Sequence, residues 1–523
     1  MIRLPRRRWV RSVAVVAGVA VLGLAAACSD DKGSTPAPTT TTTTVAVETT
    51  EAPTTTAPAP AFVLAEAAVY GPVDGGNGIL QPQPNPGLPD GYTEAEYFIT
   101  GEASAFTPVG EISENGLWTV EASDEAPYKT RVIVRTPRAA DFSGVVFVEW
   151  MNVSSVEASP DWAYLSEVIA AQGHAYVAVS AQALGVVGGE SLLEANVALG
   201  PGGGLIELDP ERYGSLVHPG DAFAFDLYSQ VGGVLAANRD GILGDLDPSA
   251  IIAMGESQSA FFLTSYINGV HPLVDVYDGF FVHSRGSSAA AFGGEFGVDP
   301  DAPAALIRTD LDTPVFMVEA ETDLTILGFA DARQPDTGAI RTWEIAGTAH
   351  ADAHLIQVIA GGPRSGALGS ALGCGGAINS GPHHEVAQAA LSHLATWVQD
   401  GTAPPTGDRL QLIDTDDGVA ISRDELGIAL GGVRNPLVDV PVVVTTGDPW
   451  TPIGDAEDFD ICDLFGQTIP IEPDGLIELH GSADGYMTAF ASSLRGAVAD
   501  GFLLDLDAEQ LLEEAQINRA LFE

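Results

Sequence analysis

The run Ala250-Ile251-Ile252-Ala253-Met254 leads into Gly255-Glu256-Ser257-Gln258-Ser259 and passes at once into Ala260-Phe261-Phe262-Leu263. An apolar segment of this length, with no polar alternation, suits a central strand of a parallel sheet covered on both faces. The residues after it read as a tight turn carrying one serine, then a helix. A serine on such a turn is held on strained backbone with its hydroxyl exposed, and the first N–H groups of the new helix point at the same place. That is the layout of a nucleophile elbow. The pattern is Gly-x-Ser-x-Ser, not the commoner Gly-x-Ser-x-Gly, and alone it also describes an ordinary strand-loop-helix connection.

The flanking chain has the periodicity such an elbow needs. Residues 116–120 and 129–135 predict half-buried antiparallel strands, and 144–150 a fuller strand ending in Glu149-Trp150. A helix over 161–171 places Trp162, Leu165 and Ile169 on one face, and a strand follows over 174–180. A glycine-rich irregular insertion covers 183–220. A helix then starts after Asp221, a good N-cap, with Phe223, Leu227, Val231 and Val234 in register. Beyond the serine helix come strands over 276–282, 314–318 and 341–345, and a helix over 385–399 with Ala387, Leu391, Leu394 and Val398 inward. Alternation of this kind demands an α/β fold with a mostly parallel sheet and helices on both faces. From Asp408 onward short strands and glycine turns lead to a closing helix, with Asp507 as its cap and Gln510 three residues on. Residues 63–523 are expected to form one catalytic domain with an elaborated C-terminal portion.

Chain order carries the chemical argument. In the α/β-hydrolase fold a serine nucleophile comes first, an acid follows a later strand, and a histidine follows the last. Here Glu319-Ala320-Glu321-Thr322-Asp323 follows the strand over 314–318, and Ala346-Gly347-Thr348-Ala349-His350 follows that over 341–345. Crevices of parallel sheets lie at the carboxyl ends of strands, so Ser257, an acid and His350 would meet there. Asp323 is the expected acid by loop reach, with Glu321 as the alternative. Serine needs an imidazole to take its proton, and a carboxylate to fix the imidazole. Backbone N–H groups must receive the oxyanion, one expected from Gln258 and a second from Asn152 or Val153.

Several stretches resemble a bacterial family of alpha/beta hydrolase domain proteins, many of them predicted to be exported. They are Gly91-Tyr92 with Glu96-Tyr97-Phe98, Tyr128-Lys129-Thr130-Arg131, Val148-Glu149-Trp150-Met151-Asn152-Val153, His218-Pro219-Gly220-Asp221 and Gly255-Glu256-Ser257-Gln258-Ser259. Glu321-Thr322-Asp323, Ile378-Asn379-Ser380-Gly381-Pro382-His383 and Gly431-Gly432-Val433-Arg434 complete the set. The similarity runs from about residue 65 to about residue 500 and implies that Ser259 is the family's own variant of the elbow. It supplies no substrate.

A formal net charge of −49, from 22 basic and 71 acidic residues, repels phosphate backbones and excludes nucleic acid as a partner. Residues 1–28 have the layout of an export signal: Arg3, Arg6, Arg7, Arg8 and Arg11 precede an apolar run from Val13 to Ala27. Ala25-Ala26-Ala27-Cys28 resembles a lipobox, with Cys28 the lipidated residue; the alternative is a secreted protein with an incidental cysteine. Residues 29–62, rich in Thr, Pro and Ala, cannot bury a core and are expected to be an extended linker. In an exported chain Cys374 and Cys462 are expected to pair, the alternative being two buried thiols.

The spacing of His350 and His354 is metal-like, but no third ligand stands out, and neither metal nor cofactor is expected. His383-His384 reads as a cap or rim feature, and Arg434 either lines the pocket or pairs with an acid. The Gly200-Pro201-Gly202-Gly203-Gly204 segment lacks the lysine of a phosphate loop and reads as rim. Two functional readings follow. One is a membrane-tethered serine esterase acting on a small-molecule ester; the other is a hydrolase-fold carrier of lipid or glycan without catalysis. Oligomeric state is open. The tether is directly testable: Cys28→Ala should abolish incorporation of labelled fatty acid and shift the protein out of the membrane pellet. Undiminished incorporation would contradict the lipobox reading.

Overall fold

The computed structural model describes residues 62–189, 203–238, 241–293, 302–360, 373–416, 418–450 and 461–523. The predicted leader, Cys28, nearly all of the predicted linker and residues 200–202 of the glycine-rich segment lie outside the described residues. The described residues belong to one compact unit. At its centre are nine strands: β1 (Ala68–Tyr70), β2 (Thr93–Pro108), β3 (Val120–Thr136), β4 (Val145–Trp150), β5 (Ala175–Val179), β6 (Ala250–Glu256), β7 (Gly279–His283), β8 (Val315–Glu319) and β9 (Ile340–Glu344). Their order across the sheet is β1-β2-β3-β5-β4-β6-β7-β8-β9. From β5 to β9 the neighbours run parallel. The first three strands extend the sheet antiparallel, β3 pairing with β5.

Successive residues of the central strands enter opposite layers, as a two-residue period requires. Val146, Val148, Ile251, Ala253, Phe280 and Val282 join one core with α2 (Ala224–Ala237) and α3 (Gln258–Ser265). Val145, Phe147, Ile252, Met254, Phe281 and Phe316 join the other with α1 (Pro160–Ala171) and α6 (His383–Asp400). Two short helices follow the last central strands: α4 (Glu321–Thr325) after β8 and α5 (Ala353–Ala360) after β9. At the C-terminus α7 (Pro473–His480), α8 (Ala483–Asp500) and α9 (Asp505–Asn518) surround a smaller core of Tyr486, Phe490, Leu494 and Leu511. This is an α/β-hydrolase fold with an elaborated C-terminal portion. Among the described residues no helix is long and apolar enough to cross a membrane.

Two local expectations change, and one long strand has no sequence signal of its own. Residues 116–119 are not a strand: the Trp118 indole N–H donates to the Ser113 carbonyl at 2.6 Å, and β3 begins only at Val120. The sixteen-residue β2 has no strong alternation, and pairing with β3 along nearly its whole length is what makes it a strand. Neither predicted aspartate caps a helix. Asp221 accepts from Ala183 N–H at 2.7 Å and opens a 3₁₀ turn, while Asp507 accepts from the Gln388 amide at 2.6 Å inside the protein. Partners far along the chain claim both carboxyl groups, which a local cap motif cannot reveal.

Cys374 and Cys462 form a disulfide with Cα atoms 5.5 Å apart. The segments it joins continue together, since Asn379 N–H donates to Phe465 O at 2.9 Å. The bridge spans 88 residues of sequence. Replacing both cysteines with serine frees that loop in the unfolded chain and should lower stability by about 2–4 kcal/mol. An unchanged urea-unfolding midpoint would contradict this.

Candidate active site

Ser257 joins β6 to α3 with φ 57° and ψ −122°, one of four non-glycine residues at positive φ among those described. A residue with a Cβ adopts such a backbone only where its surroundings enforce it, at about 1–3 kcal/mol. Three contacts enforce it here. The Ser257 N–H donates to His283 O at the end of β7, 2.9 Å away. The Ser257 carbonyl accepts from Ala260 N–H at 2.9 Å, starting α3. The helix also folds back closely on the strand: a Cβ on Gly255 would lie 3.0 Å from Ser259 Cβ and 3.1 Å from Leu263 Cδ1. Glycine at 255 therefore makes room for the serine at 259.

Two further strand ends deliver partners to this turn. His350 Nε2 lies 2.8 Å from Ser257 Oγ, and His350 Nδ1 lies 2.6 Å from Asp323 Oδ1. Asp323, on α4 just past β8, is fully buried, and its Oδ2 accepts from Ala320 N–H at 2.6 Å. A carboxylate on one ring nitrogen makes Nδ1 the donor, which leaves the Nε2 lone pair facing the serine hydroxyl. Burial opposes an imidazolium here. The Asp323 charge and hydrogen bond, with Glu256 adding to them, outweigh burial and hold the His350 pKa above its ordinary value.

Glu321 takes a different place. Its Oε1 accepts from Gly347 N–H at 2.6 Å, and its Oε2 from Gly447 N–H at 2.9 Å and Arg423 at 2.7 Å. It therefore holds the turn that carries His350 and makes no contact with the ring. Burial raises its pKa, with Arg423 opposing. Glu319 is buried in β8, where burial pushes its carboxyl well up.

The expected oxyanion donors separate. Gln258 is the first residue of α3, so its N–H is one of those the helix itself leaves without an acceptor. Asn152 N–H is not available: it donates to Ala158 O at 3.0 Å in a short antiparallel bridge. The Asn152 side chain instead donates to Glu256 O at 3.1 Å. Val153 N–H donates to the Gln258 side-chain Oε1 at 3.1 Å. That side chain is tethered in turn, its Nε2 donating to Gln182 Oε1 at 2.6 Å. Beneath the same loop, Arg131 forms a fully buried ion pair with Glu157 and donates to Leu80 O, fixing where Met151–Ala158 can run.

The other histidines singled out in the sequence, and Arg434, fall into place. His354 lies on α5, donates to Ala163 O at 3.2 Å and stacks on His384 with centroids 3.8 Å apart, so it does not share a site with His350. Among the described residues no group of three His, Cys, Asp or Glu side chains is placed to hold a metal ion. His383 and His384 are buried, not at a rim as expected, and neither side chain caps α6. Arg434 pairs with Asp439 at 2.7 Å. Glu256 went unnoticed in the sequence. It is buried, its Oε1 lies 3.6 Å from His350 Nε2, and burial pushes it up to about 8. A carboxylate ending an otherwise apolar strand, one residue before the serine, was the available signal.

A family model described as an alpha/beta hydrolase domain matches residues 68–513. No curated protein sequence is significantly similar to the chain. Solved structures similar to it include acetyl xylan esterase 1 from a Thermoanaerobacterium species, at 9% identity over 35% of this chain and 53% of that one, TM-score 0.18. The chain thus spans about half the length of that protein. Two glucuronoyl esterases are also similar. The one from Teredinibacter turnerae has 12% identity over 54% of this chain and 76% of its own, TM-score 0.25. The one from Solibacter usitatus has 12% identity over 55% and 82%, TM-score 0.27.

The two acids make opposite predictions. Asp323→Asn should lower kcat by about 10³–10⁴-fold. It should also move the acid limb of kcat/KM to lower pH, because the carboxylate that raises the imidazole pKa is gone. Glu321→Gln should lower the unfolding temperature and leave the acid limb in place. A pH–rate profile that shifts in Glu321→Gln and stays put in Asp323→Asn would reverse the assignment.

Proposed function

The chain belongs to the alpha/beta hydrolase domain family, and from that premise we propose that it is a serine hydrolase, a carboxylesterase working through an acyl-enzyme. The observation that carries the reading is the continuous line Ser257 Oγ, His350 and Asp323, joined at 2.8 Å and 2.6 Å. In the first step the serine hydroxyl gives its proton to His350 Nε2 as Oγ bonds to the ester carbonyl carbon. Asp323, bonded to Nδ1, keeps the ring in register and stabilises the imidazolium. The Gln258 N–H faces the developing oxyanion, and Val153 N–H joins it by exchanging its bond to the Gln258 side chain for one to the substrate oxygen. Each such donor contributes about 3 kcal/mol. As the carbonyl re-forms, the bond to the alcohol oxygen breaks and His350 gives that oxygen its proton. Water then repeats the sequence on the acyl-serine, releasing the acid and restoring Ser257.

The placement of this enzyme outside the cytoplasm, tethered by a lipid on Cys28, is part of the same proposal and is supported by the sequence alone. The substrate is a small ester, since the reading needs a carbonyl and a leaving alcohol and no cofactor. Chromogenic esters of graded acyl length, assayed with wild type and Ser257→Ala, test the activity. Wild type should show an initial burst near one equivalent of alcohol wherever deacylation is the slower step, and Ser257→Ala should lose about 10⁴–10⁶-fold in kcat. Turnover unchanged in Ser257→Ala, or no turnover by wild type of any ester, would overturn the proposal.

A further inference from the structure

Beneath His350 lies a fully buried polar line outside the catalytic chemistry. Asp161 from α1 approaches His283 at the end of β7, with Oδ1 2.8 Å from Nδ1. His283 Nε2 lies 2.7 Å from His383 Nε2 at the start of α6. His383 Nδ1 lies 3.0 Å from the carbonyl of Ala349, the residue before His350. The Tyr164 ring packs on both imidazoles, its centroid 5.4 Å from one and 4.8 Å from the other.

With both imidazoles neutral, only one direction is open to each bond in this line. A carbonyl only accepts, so His383 Nδ1 carries a proton. A neutral His383 then offers a lone pair at Nε2, and His283 Nε2–H must donate to it. A neutral His283 in turn presents a lone pair at Nδ1, so Asp161 Oδ1 must carry the last proton. Asp161 Oδ2 has no hydrogen-bond partner. A bare buried oxygen is costly on a carboxylate and tolerable on a neutral acid. Burial acts the same way on all three groups, pushing Asp161 well up and both imidazoles down to about 3.

The far end of the line is where it acts. The peptide between Ala349 and His350 is gripped on both edges: its carbonyl accepts from His383, and its N–H donates to Thr322 Oγ1 at 2.5 Å. The rotation of that peptide plane sets where the His350 ring starts. We propose that Asp161, His283 and His383 form a directional hydrogen-bonded relay that positions the peptide leading into His350, with His383 as the positioning residue. The inference rests on the serine hydrolase reading for its effect on rate, but the relay itself is defined without it. Hydrogen-bonded partners one step behind a metal ligand commonly matter by about 10–100-fold, and a loss of the same order is expected one step behind a catalytic imidazole.

Two measurements test it. In protein labelled with ¹⁵N-histidine, the ring spectra should show His383 neutral and protonated at Nδ1, and His283 neutral and protonated at Nε2. A proton on His383 Nε2, or a charged His283, would overturn the relay whether or not the protein hydrolyses esters. In the ester assay His383→Leu should lower kcat by about 10–100-fold with KM within about twofold. His383→Asn, whose amide N–H takes the place of Nδ1–H, should recover most of that loss. An unchanged kcat in His383→Leu would overturn the inference while leaving the esterase reading intact. Absence of wild-type turnover would remove that reading, and the tautomers would still decide the relay.

Discussion

The backbone at Ser257 is bent into a conformation that a residue with a Cβ avoids, and the molecule is built so that it cannot relax. On one side β6 is locked between β4 and β7 in the parallel part of the sheet. On the other, α3 begins at the next residue and packs back so tightly that a Cβ at 255 would crowd Ser259 and Leu263. The serine N–H is bonded to the neighbouring strand, so the turn cannot flip without breaking a sheet-edge hydrogen bond. Strain held in this way keeps the half-buried serine hydroxyl turned toward His350. Both strands that complete the site, β8 and β9, lie farther along the same sheet and end on the same rim.

His350 depends on a second kind of constraint, because it sits in a turn and not on an element. Contacts from three separate stretches of chain immobilise that turn. Glu321 holds Gly347 N–H, Asn379 donates to Gly347 O at 3.0 Å, and Thr322 and His383 hold the following peptide. Ala351 N–H then donates to Leu464 O, next to the disulfide. The long C-terminal portion thus has a definite physical task. It supplies Gly447 and Arg423, which hold the Glu321 carboxylate, and Leu464, which accepts from the turn itself. The acid nearest the ring and the acid nearest the backbone divide the work: Asp323 faces Nδ1, and Glu321, two residues earlier on the same single helical turn, faces the other way.

That division marks where reading the sequence stops. The buried strand, its serine and the order of acid and histidine were legible because they depend on local apolar runs and on chain direction. Loop reach favoured Asp323 over Glu321, but only the rotation of one helical turn separates them, and the partners that turn Glu321 away, Gly347, Gly447 and Arg423, are remote in sequence. Asn152 was plausible by position, yet its N–H is spent on a bridge to Ala158 that no local pattern announces. His383 was visible as a motif but not as a partner of His283, which is 100 residues distant in sequence. Asp221 and Asp507 looked like caps because a cap is a local event, whereas their partners are remote. Except for Asn152, whose partner is nearby in the chain, the missing information was a long-range hydrogen bond.

The proposed hydrolysis depends on Ser257 being a nucleophile activated by His350. The most direct measurement is peptide mass mapping after reaction with a fluorophosphonate, with the labelling rate followed against pH. The expected result is a single phosphonyl adduct on the peptide containing Ser257, assigned by fragmentation to that residue. Its formation rate should fall as His350 becomes protonated in acid and should collapse in His350→Ala. Labelling on Ser259 or elsewhere, or a rate on Ser257 indifferent to the loss of His350, would contradict the account.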